Sequence, residues 1–165
     1  MAFGLDPKLR REFKSYLFQV SMATVAIILV LAIEETVSGG GVSGGILVAA
    51  LGSTAFILFF MPHRDTARPT HVLGGHSVAL AVGGICAVLV GSTTGTLFAL
   101  QAGLTVGLSM FLMAATNTEH PPAAGTALAM VAHGFSINLA LFFVLSIGGL
   151  VIIHSTFRRY MKDLY

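Results

Sequence analysis

The chain has 165 residues, 55% of them hydrophobic and 10% charged, with a formal net charge of +2. Soluble domains carry about 25% charged residues, so this composition excludes an ordinary water-exposed globular protein. The net charge is small and the cations flank apolar runs, which points to lipid headgroups rather than nucleic acid as their partners.

Residues 1–15 are polar and basic and read as neither a cleavable signal nor a transit peptide. Crossing the hydrocarbon core takes roughly 20 apolar residues as a helix. Tyr16–Ile33 meets that length, whereas Ile46–Met61 is apolar but short. Val72–Val90 qualifies with His76 near its start, and Leu97–Thr116 qualifies with Gln101 inside it. Pro121–Ala132 is too short to cross alone, and Phe135–Ile153 again qualifies, with Asn138 near its start. The pattern predicts an all-α, polytopic transmembrane bundle of about six segments, two of them short. It forms a single domain over residues 16–157, followed by a tail over 158–165.

All nine Lys and Arg residues fall in three stretches: Lys8 to Lys14, Arg64 to Arg68, and Arg158 to Lys162. Cytoplasmic loops collect Lys and Arg, so both termini and the middle stretch are expected on the cytoplasmic side of an inner membrane. Glu34 and Glu35, with no cation beside them, are expected outside. Two crossings, then four, satisfy this distribution if both short segments cross. Cut near Ser92, each half reads long, short, long, which is the pattern of an inverted 3+3 repeat. In such repeats the short or Gly/Pro-interrupted segments mark the substrate site. The first short segment follows the glycine-rich stretch from Ser38 to Gly45 and contains Gly52-Ser-Thr-Ala55. The second contains Gly125-Thr-Ala127 at the matching place. Close helix packing by small residues is the competing explanation.

The stretch from Thr116 to Leu128 carries the most information. Pro121 pushes His120 into an extended conformation and stops the preceding helix. Proline suits the first turn of a helix, so a new helix is expected from Pro121 or Pro122. Its free N–H groups and positive dipole end suit an anion. The candidate binding residues are therefore His120, Pro121, Pro122, Gly125 and Thr126 with Asn117 and Thr118, opposed by Gly52, Ser53 and Thr54. His120 and Glu119 are the candidate proton relay, since ionisable groups at bilayer depth often mark proton pathways. A helix-capping role for the same residues is the alternative.

With these motifs in order, the sequence resembles the HPP family, named for the His-Pro-Pro found here at His120 to Pro122. The likeness extends through Gly52-Ser-Thr-Ala-Phe-Ile-Leu-Phe-Phe-Met-Pro62, Ala67-Arg-Pro69 and Gly74-Gly-His76, and it covers Ile46 to Leu128. The resemblance implies a small all-helical membrane domain. It also implies nitrite transport, a role attached to plastid and cyanobacterial relatives, and it adds His76 to the candidate site.

The remaining polar residues read more simply. His63 is expected in solvent, and His133 and His154 at helix ends in the interface. The six histidines lack metal-ligand spacing, and the one cysteine, Cys86, has no cluster around it, so neither a metal nor a cofactor is expected. No phosphate-binding loop, dinucleotide fingerprint or nucleophile elbow occurs, so an enzyme is not expected. The expected partners are a small inorganic anion, nitrite first, and membrane lipid; a homo-oligomer is left open. The rivals are a carrier of another small solute, with Glu119 as its ligand, and a structural or regulatory subunit.

Overall fold

The computed structural model describes residues 7–38 and 45–164, so most of the glycine-rich stretch after Ser38 lies outside the described residues, as do the side chains of Glu34 and Glu35. Among the described residues seven α-helices follow one another: α1 Pro7–Arg11, α2 Phe13–Ser38, α3 Gly45–Phe60, α4 Pro69–Val90, α5 Gly95–Ala115, α6 Ala123–His133 and α7 Ile137–Phe157. Short 3-10 turns occupy Asp65–Ala67 and Arg158–Tyr160, and the described residues contain no strand. Four stretches among the described residues are long and apolar enough to cross a membrane: Phe13–Ile33, Pro69–Val90, Gly95–Ala115 and Ile137–Tyr160. The two short apolar helices, α3 and α6, fall where expected.

Local chemistry sets the boundaries. Pro69 opens α4 behind an extended Arg68, using a position where a missing N–H costs nothing. Ser136 caps α7 by accepting the Leu139 N–H at 3.1 Å. At the end of α5, Asn117 adopts φ 53°. The Thr118 N–H reaches back to Met113 O at 2.9 Å and the Asn117 N–H to Ala114 O at 3.3 Å. This is the Schellman closure, with asparagine in the left-handed position that glycine usually fills.

The packing has internal two-fold order. Exchanging α2 with α5, α3 with α6 and α4 with α7 carries the principal packing pairs onto one another. Thus α2–α3 maps onto α5–α6, α2–α7 onto α4–α5, and α3–α7 onto α4–α6, while α3–α6 and α4–α7 map onto themselves. Two glutamines follow the same exchange, each the seventh residue of its helix counted from Phe13 or Gly95. Gln19 accepts the Lys162 N–H at 3.1 Å and donates to Lys162 O at 2.9 Å, pinning the chain that follows α7. Gln101 donates to Gly91 O at 3.2 Å and accepts from Thr93 at 2.6 Å, pinning the chain that follows α4. Gln19 also donates to Phe59 O, ahead of α4, whereas Gly91 lies beyond the far end of that 22-residue helix. A helix of that length is roughly 33 Å long. The matched glutamines therefore sit at opposite ends of the bundle, as an inverted repeat requires.

The three basic stretches meet at one end. Tyr16 donates to Leu164 O at 2.7 Å, Lys8 to Asp163 O at 2.8 Å, and Arg158 to Pro62 O at 3.0 Å. The tail after α7 is packed down, with Met161 and Leu164 buried and the Leu164 N–H donating to Phe60 O at 2.8 Å. His154 corrects the interfacial expectation: it is fully buried, and its Nε2 donates to Pro62 O at 3.2 Å.

The tightest seam joins α4 to α6. Gly75, Ala79, Gly83 and Ala87 form a buried small-residue stripe at helical spacing on α4. A Cβ on Gly83 would stand 2.8 Å from Ala127 O and from Met130 Cβ. Small residues let helix backbones approach in lipid, where packing rather than water drives association.

Candidate functional site

Four of the predicted site residues converge inside the bundle. Thr54 from α3, His76 from α4, His120 from the α5–α6 connection and Thr126 from α6 are all essentially buried. The Thr54 hydroxyl lies 3.1 Å from His76 Nε2 and 3.1 Å from His120 Nε2, and 3.0 Å from Ala50 O one turn back. The other nitrogen of His76 lies 2.9 Å from the Thr126 hydroxyl. The other nitrogen of His120 lies 2.8 Å from Thr66 O. The two rings stand 5.2 Å apart, centroid to centroid. His76 thus bridges the two threonines that the matched Gly-Ser-Thr-Ala and Gly-Thr-Ala stretches bring to α3 and α6.

The glycine pair ahead of His76 makes this convergence possible. A Cβ on Gly75 would stand 2.8 Å from Thr118 O and 2.9 Å from His120 Cβ, and one on Gly74 would overlap the Thr118 side chain. The α5–α6 connection therefore lies directly on α4, which delivers His120 to the core. Pro121 and Pro122 turn the chain into α6, whose first turn is closed by the Ala123 N–H donating to His120 O at 2.9 Å. On the other side, Gly125 faces Ala50, and a Cβ there would sit 3.0 Å from the alanine Cβ.

Other predicted residues lie elsewhere. An anion site of opposed helix starts would need Gly52, Ser53 and Thr54 at the beginning of a helix, but α3 begins at Gly45 and runs through them. No proline interrupts that apolar run, so their backbone N–H groups belong to the helix interior. Gly52 lines a groove against α2, and Ser53 is exposed. Ser53 shares a groove of about 420 Å³ with Phe56, Ile57, Pro121 and Pro122. Asn117 is exposed and serves the α5 cap; Thr118 packs on Gly74 and bonds Thr116 through their hydroxyls at 2.8 Å. Glu119 turns away from His120. Its carboxylate lies 3.7 Å from His71 Nδ1, with about half of its side chain exposed. Arg68 pairs with Asp65 at 2.8 Å.

Sequence reasoning passed over His71 and the carbonyl of Thr66. His71 sits five residues ahead of His76 and directly after the Pro69 helix start, a position that could have marked it. A main-chain carbonyl leaves no trace in sequence. Among the described residues, no group of three or more His, Cys, Asp or Glu is placed to hold a metal ion.

A family model described as the HPP transmembrane region matches residues 8–157. The chain belongs to the HPP family. A transmembrane protein of Dictyostelium discoideum is 32% identical over 110 residues, covering 67% of this chain and 38% of the relative. The chain thus spans well under two thirds of that relative's length. No solved structure matches this member of the HPP family.

Proposed function

We propose that this HPP protein moves a small inorganic anion across the membrane together with a proton, nitrite being the first candidate. The observation that carries the reading is the buried chain Thr126–His76–Thr54–His120, which links α6, α4, α3 and the α5–α6 connection inside an apolar bundle. Imidazoles at such depth are costly and are kept where ions or protons pass. A neutral imidazole can donate to an anion, and a protonated one can accompany it. With the basic end of the bundle in the cytoplasm of an inner membrane, anion uptake opposes the membrane potential. One negative charge moved inward against about 100 mV costs about 2.3 kcal/mol, equivalent to a roughly fiftyfold gradient. A co-transported proton cancels that cost.

The test is influx into proteoliposomes across a panel of small anions, with and without a proton gradient. Nitrite influx that rises with an inward proton gradient supports the reading; no flux of any anion removes it. The second reading, a structural or regulatory subunit, is favoured by one observation: each side-chain nitrogen and oxygen of the chain already has a partner within hydrogen-bond distance. That reading predicts no flux and an undiminished fold.

A further inference from the structure

We propose that Thr54 is a proton-transfer residue, passing a proton between His76 and His120, so that these three side chains form the relay and Glu119 stands outside it. The proposal deepens the anion–proton reading and takes its purpose from it.

The argument starts from hydrogen-bond arithmetic. A carbonyl oxygen can only accept, so the His120 nitrogen facing Thr66 O must carry its proton. In a neutral ring, His120 Nε2 is then bare and needs a donor. Thr54 is the side chain within reach of that nitrogen, and its single hydroxyl proton must point there. Having spent that proton, Thr54 can only accept from His76, so His76 carries its proton on Nε2. His76 Nδ1 is then bare and accepts from Thr126. One consistent direction runs through the chain: Thr126 donates to His76, His76 to Thr54, Thr54 to His120 and His120 to Thr66 O.

A proton added at His76 Nδ1 can shift this direction without any heavy atom leaving its place. A hydronium ion loses a proton as an N–H bond forms at His76 Nδ1, and the Thr126 hydroxyl turns to accept from it. The His76 Nε2–H bond breaks as its proton forms an O–H bond on Thr54. The original Thr54 O–H bond breaks as that proton joins His120 Nε2. His76 is neutral again, with its proton on the opposite nitrogen, and the positive charge now lies on His120. Release is at His120 Nδ1: water entering between that nitrogen and Thr66 O takes its proton as the N–H bond breaks. That water passes one proton on toward the loop end, where His71 and Glu119 are the titratable neighbours. It then donates to the bared nitrogen, leaving His120 neutral with its proton on Nε2. The reverse sequence carries a proton the other way. Two histidines in direct contact would need no intermediary, but here both Nε2 atoms address the same hydroxyl.

The third contact of Thr54, to Ala50 O, gives its proton a place to point while the hydroxyl turns back from His76 to His120. Serine or threonine can donate one turn back in this manner inside helices. A valine at the position keeps the shape and removes the transfer.

The experiment is nitrogen-15 NMR of histidine-labelled protein in lipid, read at the ring nitrogens and needing no anion. The wild type is expected to show His76 protonated on Nε2 and His120 on Nδ1. Ring-proton exchange with water at His76 is expected to fall by at least roughly a hundredfold in Thr54→Val, the lower end of the range for a lost proton-transfer group. Thr54→Ser restores it, and His120→Gln slows it as well. If Thr54→Val does not fold, the serine and glutamine variants carry the test between them. Wild-type exchange at His76 in folded Thr54→Val, or in folded His120→Gln, overturns the proposal. A wild type that moves no anion in liposomes yet shows the Thr54 dependence overturns the transport reading alone.

Discussion

Two polar assemblies in this protein differ in kind. At the basic end of the bundle, Gln19, Tyr16, His154 and Arg158 address main-chain carbonyls of the 59–62 turn and of the C-terminal tail. Carbonyls accept and never donate, so those bonds have one arrangement and serve to hold segments together. In the Thr126–His76–Thr54–His120 chain, side chains address one another, and each can be donor or acceptor. In the neutral chain the Thr66 carbonyl fixes one direction, and an added proton reverses the links from Thr126 to His120. A polar group buried against backbone reads as structure, whereas a run of convertible groups reads as a path. Burial alone does not separate the two, because Gln19 and His154 are as hidden as the members of the chain.

The largest expected effect abolishes both assemblies without touching either. Gly83→Leu would force α4 off α6, where even a Cβ meets the Ala127 carbonyl and Met130, and a cost of about 3 kcal/mol or more is expected. Thermal unfolding in detergent should show it as a collapse in yield of folded protein.

Separating the two assemblies comes next. His120→Ala should leave the fold assembled, since Pro121 and Pro122 set the turn, yet lower anion flux by roughly a hundredfold, the scale of a lost acid–base group. Gln19→Leu should do the opposite. It strands Phe59 O and both Lys162 main-chain groups, costing about 1–3 kcal/mol in stability, with flux per folded molecule unchanged. Melting temperature and flux measured on the same preparations distinguish them. Equal losses of flux in both variants would erase the difference between the assemblies.

The smallest effect concerns Asn117, which the fold assigns to a helix cap. Asn117→Gly should change stability by only a few tenths of a kcal/mol and keep flux, because glycine fits the left-handed position. Asn117→Ala should cost about 1–2 kcal/mol. Loss of flux in the folded glycine variant would instead make the amide a ligand.

Much of this architecture is legible in the sequence because lipid simplifies the problem. Apolar length marks the spans, cation clusters mark the shared end, and the long–short–long order marks the repeat. His120, Thr54 and Thr126 are legible as candidate site residues because each lies in a short glycine- or proline-bearing stretch inside apolar sequence, whereas His76 enters through the family resemblance. What stays hidden is orientation. Gly52, Ser53 and Thr54 are consecutive, yet the helix turns one to the α2 groove, one to the exterior and one to the core. Glu119 and His120 are adjacent, yet the tight turn before Pro121 sends one to His71 and the other to Thr54. The role of Gln19 is equally hidden, because its partners are carbonyls from segments far along the chain.

The most direct measurement follows nitrite influx and lumenal pH together in proteoliposomes carrying wild type or His120→Gln, from about pH 5 to about pH 8, the range in which histidine titrates. The account predicts that wild type moves nitrite and protons together, and that His120→Gln retains nitrite binding while losing the proton movement and the pH dependence. Wild-type nitrite and proton fluxes in folded His120→Gln, at every pH in that range, would contradict it.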